Sequence, residues 1–449
     1  MSAIIHNSFR KYNADNFITS IGTNKVYLMI GKITPWSGIS VGEYIEETPS
    51  DTAIPIPLDT TIAPSIHHAD MIAAKLVPLS SVSHVIKRVN WVSGTEYVEY
   101  NHLTDDIIDQ DFFVFTSEFR VYKCISNYDG ALSEVEPTGV STDIIETADK
   151  YRWKFMFEVP QGEVLKFVTS DWIPVKTLLA DDQTDQWDVQ DGAVHGALSH
   201  IDVTDGGTGY KSNVGIALTG TANTITLDST VTENDYYNDL TVFIREGTGA
   251  NQLRTIIGYD GNLKIATVDS DWIAGQVPNS TSEYSVMPAV SITATGGVAQ
   301  GAVARVSSVD ADNGGVVKKV SMVSVGSGYT FATASVNLGG GTGAIITPII
   351  SPQGGHGSDP VAELGGAFVM LNARLIGYEG ADFPVGPAGQ FRKVHLLSNP
   401  HSGGVLATAT TYNALEMDDN TGSMIYTEFR TPINRASDST EDIKLVVEF

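Results

Sequence analysis

The sequence predicts a mainly β protein: a two-layer β-sandwich core formed by the N- and C-terminal thirds, with an inserted glycine-rich β domain that contains an internal repeat. Apolar and polar residues alternate with the period of a half-buried strand, most clearly at Tyr151–Phe157 and at Ile443–Phe449. The composition changes to glycine, threonine and valine at about residue 193 and changes back at about residue 359. The strand at the end of the chain therefore completes a sheet that begins before the glycine-rich block.

These observations predict two domains. Residues 1–192 together with residues 360–449 form the discontinuous sandwich core, and residues 193–359 form the inserted repeat domain. Within the insert, residues 221–284 interrupt the repeat and form a nested β module. The Tyr259-Asp260-Gly261-Asn262 stretch in this module is a strong β-hairpin signal.

The first 80 residues contain a predicted helix, a strand and a long arm. Asn7-Ser8 can cap the helix, an apolar stripe follows on one face, and Gly22 can end it. The stripe consists of Phe9, Tyr12, Phe17 and Ile21. The VYLMIGK stretch, residues 26–32, predicts a strand. Residues 42–80 contain five prolines and predict an ordered arm with one short helix near His68–Ala74.

Strand-like runs flank the glycine-rich block on both sides. Before it they are HVIKRVNW, DFFVFTSEFRVYKCISN, YRWKFMFEVP and DWIPVKTL, and after it they are FVMLNARLIGYEG, QFRKVHLLSNP and the closing strand. In the third run, Tyr151, Trp153, Phe155 and Phe157 point to one side. Such a ladder of rings favours a packed sandwich face over a ligand platform.

The internal repeat has an aromatic anchor after a glycine turn. Gly207-Thr208-Gly209-Tyr210 corresponds to Gly326-Ser327-Gly328-Tyr329. A second pair of similar stretches covers residues 288–306 and 333–349. Each unit predicts strand, glycine turn and strand, because glycine supplies the positive φ that such turns need.

Composition excludes several classes of function. The 449 residues carry a formal net charge of −26, from 53 acidic and 27 basic residues, so binding along nucleic acid is disfavoured. No stretch approaches the about 20 apolar residues of a membrane span, and the N-terminus lacks the order of a signal peptide. The single cysteine, Cys124, is predicted to be a small buried residue of a protein made in a reducing cytoplasm.

No stretch carries a complete catalytic or metal-binding signature. GGGTGA at residues 339–344 lacks the Lys-Ser/Thr of a phosphate loop. DVTDGG at 202–207 and DADNGG at 310–315 lack the distal Glu of a calcium loop, so β-turns are favoured there. His67 and His68 are adjacent and point apart on a regular element. The sequence therefore predicts no enzyme, no cofactor and no metal.

The outer thirds of the chain resemble the baseplate wedge protein family of contractile-tailed, T-even-type bacteriophages. The similar stretches, in order, are ITSIGTNKVYLMIGKITPWS, VIKRVNW, FRVYKCISN, YRWKFMFEVP, FRKVHLLSNP, GSMIYTEFRTPI and DSTEDIKLVVEF. They cover about residues 1–190 and 365–449, and the glycine-rich block lies outside the family pattern. The resemblance implies a two-layer sandwich, a homodimer in each wedge of the tail baseplate, contacts with other wedge proteins and no enzymatic activity.

The sequence and this resemblance together predict a structural virion protein of the tail baseplate, assembled in the host cytoplasm. The candidate interface residues are Pro55, Pro57, Arg88, Trp91, Glu428, Phe429 and Arg430. For Arg430 and Arg88 a salt bridge at the edge of the core is the equally weighted alternative. A host-glycan or receptor-binding insert is the alternative function, and it requires Tyr210, Tyr259 and Tyr329 to be exposed on one face.

Overall fold

The computed structural model describes residues 7–32, 40–41, 44–45, 71–105, 107–128, 130–294, 299–379, 382–418 and 421–449. The predicted mainly β fold is confirmed, and its sheets are antiparallel. The chain divides into two compact units. The first, here called the sandwich unit, comprises Met1–Val89, Val159–Thr177 and Pro360–Phe449, and the second comprises Asn90–Glu158 and Leu178–Asp359.

Two sheets form the layers of the sandwich unit. The five-stranded sheet has the order Thr411–Asn413, Met71–Leu76, Val26–Lys32, Gly386–Ser398, Ser423–Arg435. The four-stranded sheet has the order Trp172–Val175, Val82–Lys87, Phe368–Ile376, Thr440–Glu448. Side chains from both sheets share one core, in which Leu28, Leu371 and Leu445 are buried. Burial of this apolar surface between the layers is what holds the two sheets together.

The described part of the sandwich unit also contains short strand pairs and helices. The strand pairs are Ser40–Val41 with Tyr44–Ile45, and His401–Ser402 with Val405–Leu406. The helices are Asn7–Thr23, Leu79–Ser81 (a 3-10 turn), Gln161–Phe167 and Pro360–Glu363. Among the described residues, no helix combines the length and the apolar character needed to cross a lipid bilayer.

The first helix is where the sequence predicts it, but its buried face differs from the prediction. Phe9 and Tyr12 are 55% and 61% exposed. Ala14 and Ile21 are buried in the sandwich core, and Phe17 packs against it. The apolar contacts of the helix with the sheets therefore come from its second half, where the apolar residues recur at the three-to-four-residue spacing of one helix face. In the first half, Arg10 pairs with Glu448 and lies 5.6 Å from the centroid of the Phe368 ring.

Part of the predicted arm belongs to the five-stranded sheet. The predicted helix near His68–Ala74 is wrong for its described residues, because Met71–Leu76 is a strand between Val26–Lys32 and Thr411–Asn413. Met71 and Ala73 are buried and the residue between them is half-buried, which is the alternation expected of a strand with one covered face. Pro55, Pro57 and His68 lie outside the described residues.

The closing strand is held inside the sandwich unit. Thr440–Glu448 pairs along its length with Phe368–Ile376. Beyond it, the Phe449 ring lies 5.2 Å from the Phe17 ring, and Arg10 Nε donates a hydrogen bond to the Phe449 carbonyl at 2.5 Å. These contacts anchor the last residues, as the apolar alternation of the sequence predicts.

The described residues of the second unit form three sheets. The aromatic sheet has the order Phe113–Phe115, Arg120–Ser126, Arg152–Glu158, Ile145–Glu146. The repeat sheet has the order Ala332–Asn337, Ala289–Ala294, Gln300–Asp310, Val316–Ser327, Leu198–Thr208, Thr342–Ile350. The seven-stranded sheet has the order Asn213–Ile216, Glu283–Met287, Thr241–Glu246, Leu253–Asp260, Ile265–Val268, Thr224–Thr226, Thr219–Thr221. A 3-10 turn at Ile107–Asp109 and a helix at Asp185–Asp191 complete the unit.

This division differs from the predicted domain boundaries. Residues 90–158 and 178–192 cluster with the glycine-rich block instead of with the chain ends. The expectation that Tyr151–Phe157 shares a sheet layer with the closing strand is therefore not met. Strand Arg152–Glu158 is also covered on both faces, because Lys154 and Met156 are buried as well as the aromatic residues. The Lys154 ammonium donates a hydrogen bond to the Thr142 carbonyl, which is how a lysine is accommodated there.

The nested module is larger than predicted. Its sheet begins at Asn213 and ends at Met287, and Asn213 pairs with Val286. The hairpin signal at residues 259–262 is confirmed, since Leu253–Asp260 pairs with Ile265–Val268. Asp260 Oδ1 accepts hydrogen bonds from the backbone N–H groups of Asn262 and Leu263, both at 2.9 Å, and so shapes the turn.

Candidate functional sites

The strand Ser423–Arg435, here called the long edge strand, contains three of the predicted interface residues. It pairs with Gly386–Ser398 on one side, and no other described strand pairs with its outer edge. Most of its side chains are exposed or half-buried. An unpaired edge of this length presents N–H and C=O groups to which a strand of another chain can bond.

Glu428 is the centre of a small polar row on the long edge strand. Tyr426, Glu428 and Arg430 are spaced two residues apart and so face the same side. The Tyr426 hydroxyl donates to Glu428 Oε2 at 2.8 Å, and Arg430 Nη2 lies 3.0 Å from Glu428 Oε1. Partial burial, together with the hydrogen bond to the carboxylate, raises the pKa of Tyr426.

Arg430 therefore forms an intrachain salt bridge, as the alternative to an interface role predicts. This salt bridge lies at an exposed position. Its side chain is 44% exposed, and pairs of this kind contribute about 1 kcal/mol or less. Phe429 points to the opposite face and is 39% exposed, with the buried Lys393 ammonium 5.6 Å from its ring centroid. Little folding energy depends on Arg430, so its exposure leaves it free to contact a partner.

Arg88 and Trp91, predicted as neighbours, belong to different units. Arg88 lies in the sandwich unit and donates from Nη1 to the Thr169 carbonyl at 2.7 Å. Trp91 lies in the second unit and donates from Nε1 to Ser133 Oγ at 3.1 Å. Both side chains are half-buried. Each has an intrachain structural contact, and an interface role for either stays a prediction.

The three tyrosines that the receptor-binding alternative requires are buried. Tyr210, Tyr259 and Tyr329 are 5%, 3% and 6% exposed. The Tyr210 hydroxyl accepts from the Ala344 N–H at 3.3 Å, and the Tyr329 hydroxyl accepts from the Ala302 N–H at 3.2 Å. These rings anchor turns and cannot form a surface platform for a glycan.

An exposed apolar row that the sequence analysis missed lies at one edge of the nested module. Val214, Ile216 and Leu218 are 58%, 50% and 60% exposed. They alternate with residues that face the module interior, of which Ala217 is buried in its core. The two-residue spacing is visible in the sequence, but both faces of this stretch are apolar, so the sequence does not reveal which face is outside.

A second feature that the sequence analysis missed is a cluster of Glu99, His200 and Asp202 in the second unit. The prediction of a β-turn at residues 202–207 is wrong, because these residues lie in strand Leu198–Thr208. His200 and Asp202 are two residues apart on that strand and so face the same side. Burial raises the pKa of Glu99, and the nearby Asp202 charge adds to the shift while His200 opposes it. A His-x-Asp pair in a strand-like run is the signal that could have identified the site.

The features together define a β-rich protein with a two-layer sandwich, a repeat-bearing second unit and an open strand edge. No family model matches the chain. The chain is similar to baseplate wedge protein gp8 of Enterobacteria phage T4, with 23% identity over 227 residues. That alignment covers 42% of this chain and 65% of the relative, so it spans just under two thirds of the relative's length. The similarity supports a distant relationship to a phage baseplate wedge protein, in agreement with the resemblance stated above.

Proposed function

We propose that the protein is a non-enzymatic structural subunit of a phage tail baseplate wedge, which forms a homodimer and docks onto other wedge proteins. The observation that carries this proposal is the similarity to a baseplate wedge protein. The unpaired long edge strand supports it, because this edge offers a ready surface for association. The virion baseplate is the proposed location, and the host cytoplasm is the proposed place of assembly.

The long edge strand is the proposed dimer contact. Two copies related by a two-fold axis present the same surface to each other, so their edge strands pair antiparallel. In the register centred on Phe429, Glu428 of one copy lies opposite Arg430 of its partner. The two-fold axis creates two such pairs, and each brings opposite charges together. With the intrachain pairs of Glu428 and Arg430, the two copies form a network of four charges. A stable contact of this kind buries about 1,200–2,000 Å² in total with its flanking surfaces.

The acidic surface fits a subunit that stays soluble until it meets its partners. A net charge of −26 opposes non-specific aggregation and favours wedge proteins with basic contact surfaces. Attraction between opposite charges mainly raises the association rate. Wedge assembly is therefore expected to slow as the salt concentration rises.

The dimer register is tested by charge exchange in the purified full chain. Glu428→Arg places like charges opposite each other and is expected to weaken dimerisation at least about tenfold, because like charges at an interface cost several kcal/mol. The double variant Glu428→Arg with Arg430→Glu restores opposite charges and is expected to restore the dimer. Analytical ultracentrifugation measures the dissociation constant, and thermal unfolding checks that each variant folds.

A matched control is Glu283→Arg, which breaks an exposed cross-strand pair with Arg245 in the second unit. It makes the same charge change at similar exposure and should leave dimerisation unaltered. A wild-type chain that remains monomeric at high concentration would contradict the homodimer. A dimer that tolerates Glu428→Arg would contradict the proposed register while leaving the baseplate role in place.

A further inference from the structure

We propose that Glu99, His200 and Asp202 bind a divalent metal ion of the zinc class within the second unit. Each residue offers one ligand atom, and these atoms all lie within 4.8 Å of one another. His200 Nε2 lies 2.9 Å from Asp202 Oδ1 and 3.8 Å from Glu99 Oε1. Two ligands of a tetrahedral zinc ion, each about 2.0–2.1 Å from the metal, lie about 3.3 Å apart. The distances from His200 Nε2, 2.9 Å to Asp202 Oδ1 and 3.8 Å to Glu99 Oε1, lie on either side of this ligand-to-ligand distance.

The environment of His200 points to a ligand and not to a simple ion pair. The residue is 8% exposed, and neither ring nitrogen has a hydrogen-bond partner among the described residues. A protonated imidazole would donate from both nitrogens, yet the 2.9 Å approach to Asp202 lacks the geometry of a hydrogen bond. A buried imidazole without a partner is costly. A metal held between Nε2 and the two carboxylates gives Nε2 a partner and so removes the part of that cost that belongs to this nitrogen.

The carboxylates are oriented by neighbours that bind their other oxygens. The Asn127 backbone N–H donates to Glu99 Oε2 at 3.1 Å, and Asn101 Nδ2 donates to Asp202 Oδ2 at 3.4 Å. Both contacts leave the remaining oxygen, Oε1 or Oδ1, directed to His200. Hydrogen bonds of this kind hold metal ligands in place and sustain metal affinity.

Charge and space favour a cation. In the described part of the chain, no lysine or arginine forms an ion pair with Glu99 or Asp202, although Arg152, Lys318 and Lys319 line the same cavity. Lys318 instead lies near Asp310, at 3.9 Å. The cavity has a volume of about 480 Å³, which gives room for water to complete the coordination shell.

The ligand set selects the metal class. One imidazole nitrogen with two carboxylate oxygens suits zinc and similar transition ions, whereas calcium and magnesium favour oxygen ligands alone. The ion would connect the segment that contains Glu99 to strand Leu198–Thr208 of the repeat sheet. Its proposed role is to stabilise the second unit, because a metal that binds only the folded state raises its stability.

The test uses the full-length chain after removal of metal with EDTA. Isothermal titration with Zn²⁺ is expected to show one ion per chain, and Zn²⁺ is expected to raise the melting temperature until one equivalent is bound. Co²⁺ is expected to give visible absorption bands of a low-coordinate nitrogen and oxygen site. Glu99→Gln and Asp202→Asn keep the side-chain shape and are each expected to weaken Zn²⁺ binding at least about tenfold.

His195→Ala is the matched control, because His195 is an exposed histidine near the start of the same strand. It should leave Zn²⁺ affinity unchanged. The proposal is overturned if the wild-type chain binds no stoichiometric Zn²⁺, or if folded Glu99→Gln and Asp202→Asn bind it as tightly as wild type. If neither variant folds, the wild-type melting curve decides: a rise that saturates at one equivalent supports the site, and no rise overturns it.

Discussion

Gly207 and Gly326 occupy equivalent positions near the ends of strands Leu198–Thr208 and Val316–Ser327, with φ angles of +59° and +61°. A Cβ on Gly207 would lie 2.4 Å from the Thr342 carbonyl oxygen, and one on Gly326 would lie 2.5 Å from the Ala302 nitrogen. At each position the strand backbone lies directly against its neighbour, which is Thr342–Ile350 for Gly207 and Gln300–Asp310 for Gly326. Both the left-handed backbone and the close approach exclude any side chain.

Replacing either glycine with alanine is therefore expected to destabilise the second unit. The left-handed backbone alone costs about 1–3 kcal/mol for a residue with a side chain, and the contact with the neighbouring strand adds to this. Urea unfolding of Gly207→Ala and Gly326→Ala measures the loss of free energy of unfolding.

Gly275→Ala separates the two causes. Gly275 has a φ of +80°, but nothing lies within 4 Å of its Cβ position. It should show the backbone cost alone and so lose less stability than the other two variants. Equal losses in all three variants would mean that the close approach between strands contributes nothing.

At the scale of elements, the closing strand is the contact between the end of the chain and the sandwich core. Leu445 is 3% exposed and belongs to the core cluster formed by both sheets. On the long edge strand, by contrast, Ile425 is 43% exposed. The two strands thus differ in role: one completes a packed layer, and the other leaves an edge open.

Leu445→Ala is expected to lower the free energy of unfolding by about 2–5 kcal/mol, because it opens a cavity between the sheets. Ile425→Ala should change it by less than about 1 kcal/mol, since surface substitutions rarely cost more. Chemical denaturation of the sandwich unit measures both. A similar cost for the two substitutions would contradict the assignment of Thr440–Glu448 to the core layer.

At the scale of the whole molecule, the chain enters the second unit twice, at residues 90 and 178, and leaves it after residues 158 and 359. Within this unit, the nested module has its own core, to which Tyr237, Trp272 and Tyr284 contribute. Its first and last strands pair with each other, so its two ends are adjacent. These features make the module separable from the repeat sheet.

Replacing residues 214–286 with a short glycine-serine linker is expected to leave the rest of the protein folded. The deletion removes the contacts of the module with the rest of the unit, such as the Arg305 guanidinium 4.0 Å from the Phe243 ring and the hydrogen bond from Lys211 Nζ to the Tyr236 carbonyl at 3.2 Å. Differential scanning calorimetry should show the loss of at most one transition, with the sandwich unit melting as before. Aggregation of the variant, or an altered melting of the sandwich unit, would show that the module is needed for the folding of its host.

Much of the local structure could be predicted from the sequence. The period-2 alternation at Ile443–Phe449, the positive φ of the paired glycines before Tyr210 and Tyr329, and the Asp260-Gly261 hairpin all describe neighbours in the chain, and all are confirmed. The predicted turns at Gly207 and Gly326 are wrong, because both glycines lie within strands. Burial of Cys124 is confirmed as well, and burial raises the pKa of its thiol. Strand period and turn chemistry are local properties that a single sequence displays.

The sequence predicts a domain boundary at residue 193 because the composition changes there. The packing continues across this residue, so the real boundary could not be predicted from composition. The His102 Nδ1 atom accepts a hydrogen bond from the Ile350 N–H at 3.2 Å, and the Tyr100 ring lies 4.9 Å from the His356 ring. These contacts join the segment that contains Tyr100 and His102 to the end of the glycine-rich block. Nothing in the composition of either segment signals the other.

The sequence by itself determined many of the strands, the repeat and the anchored closing strand, since these depend on residues a few positions apart. Tertiary structure alone decided that residues 90–158 join the second unit, that Glu99 meets His200 and Asp202, and that Ser423–Arg435 has an open edge. The physical reason is the separation along the chain of the residues that interact. Side-chain periodicity states which face of a strand is apolar, whereas the partner that covers this face is selected by the packing of the whole core.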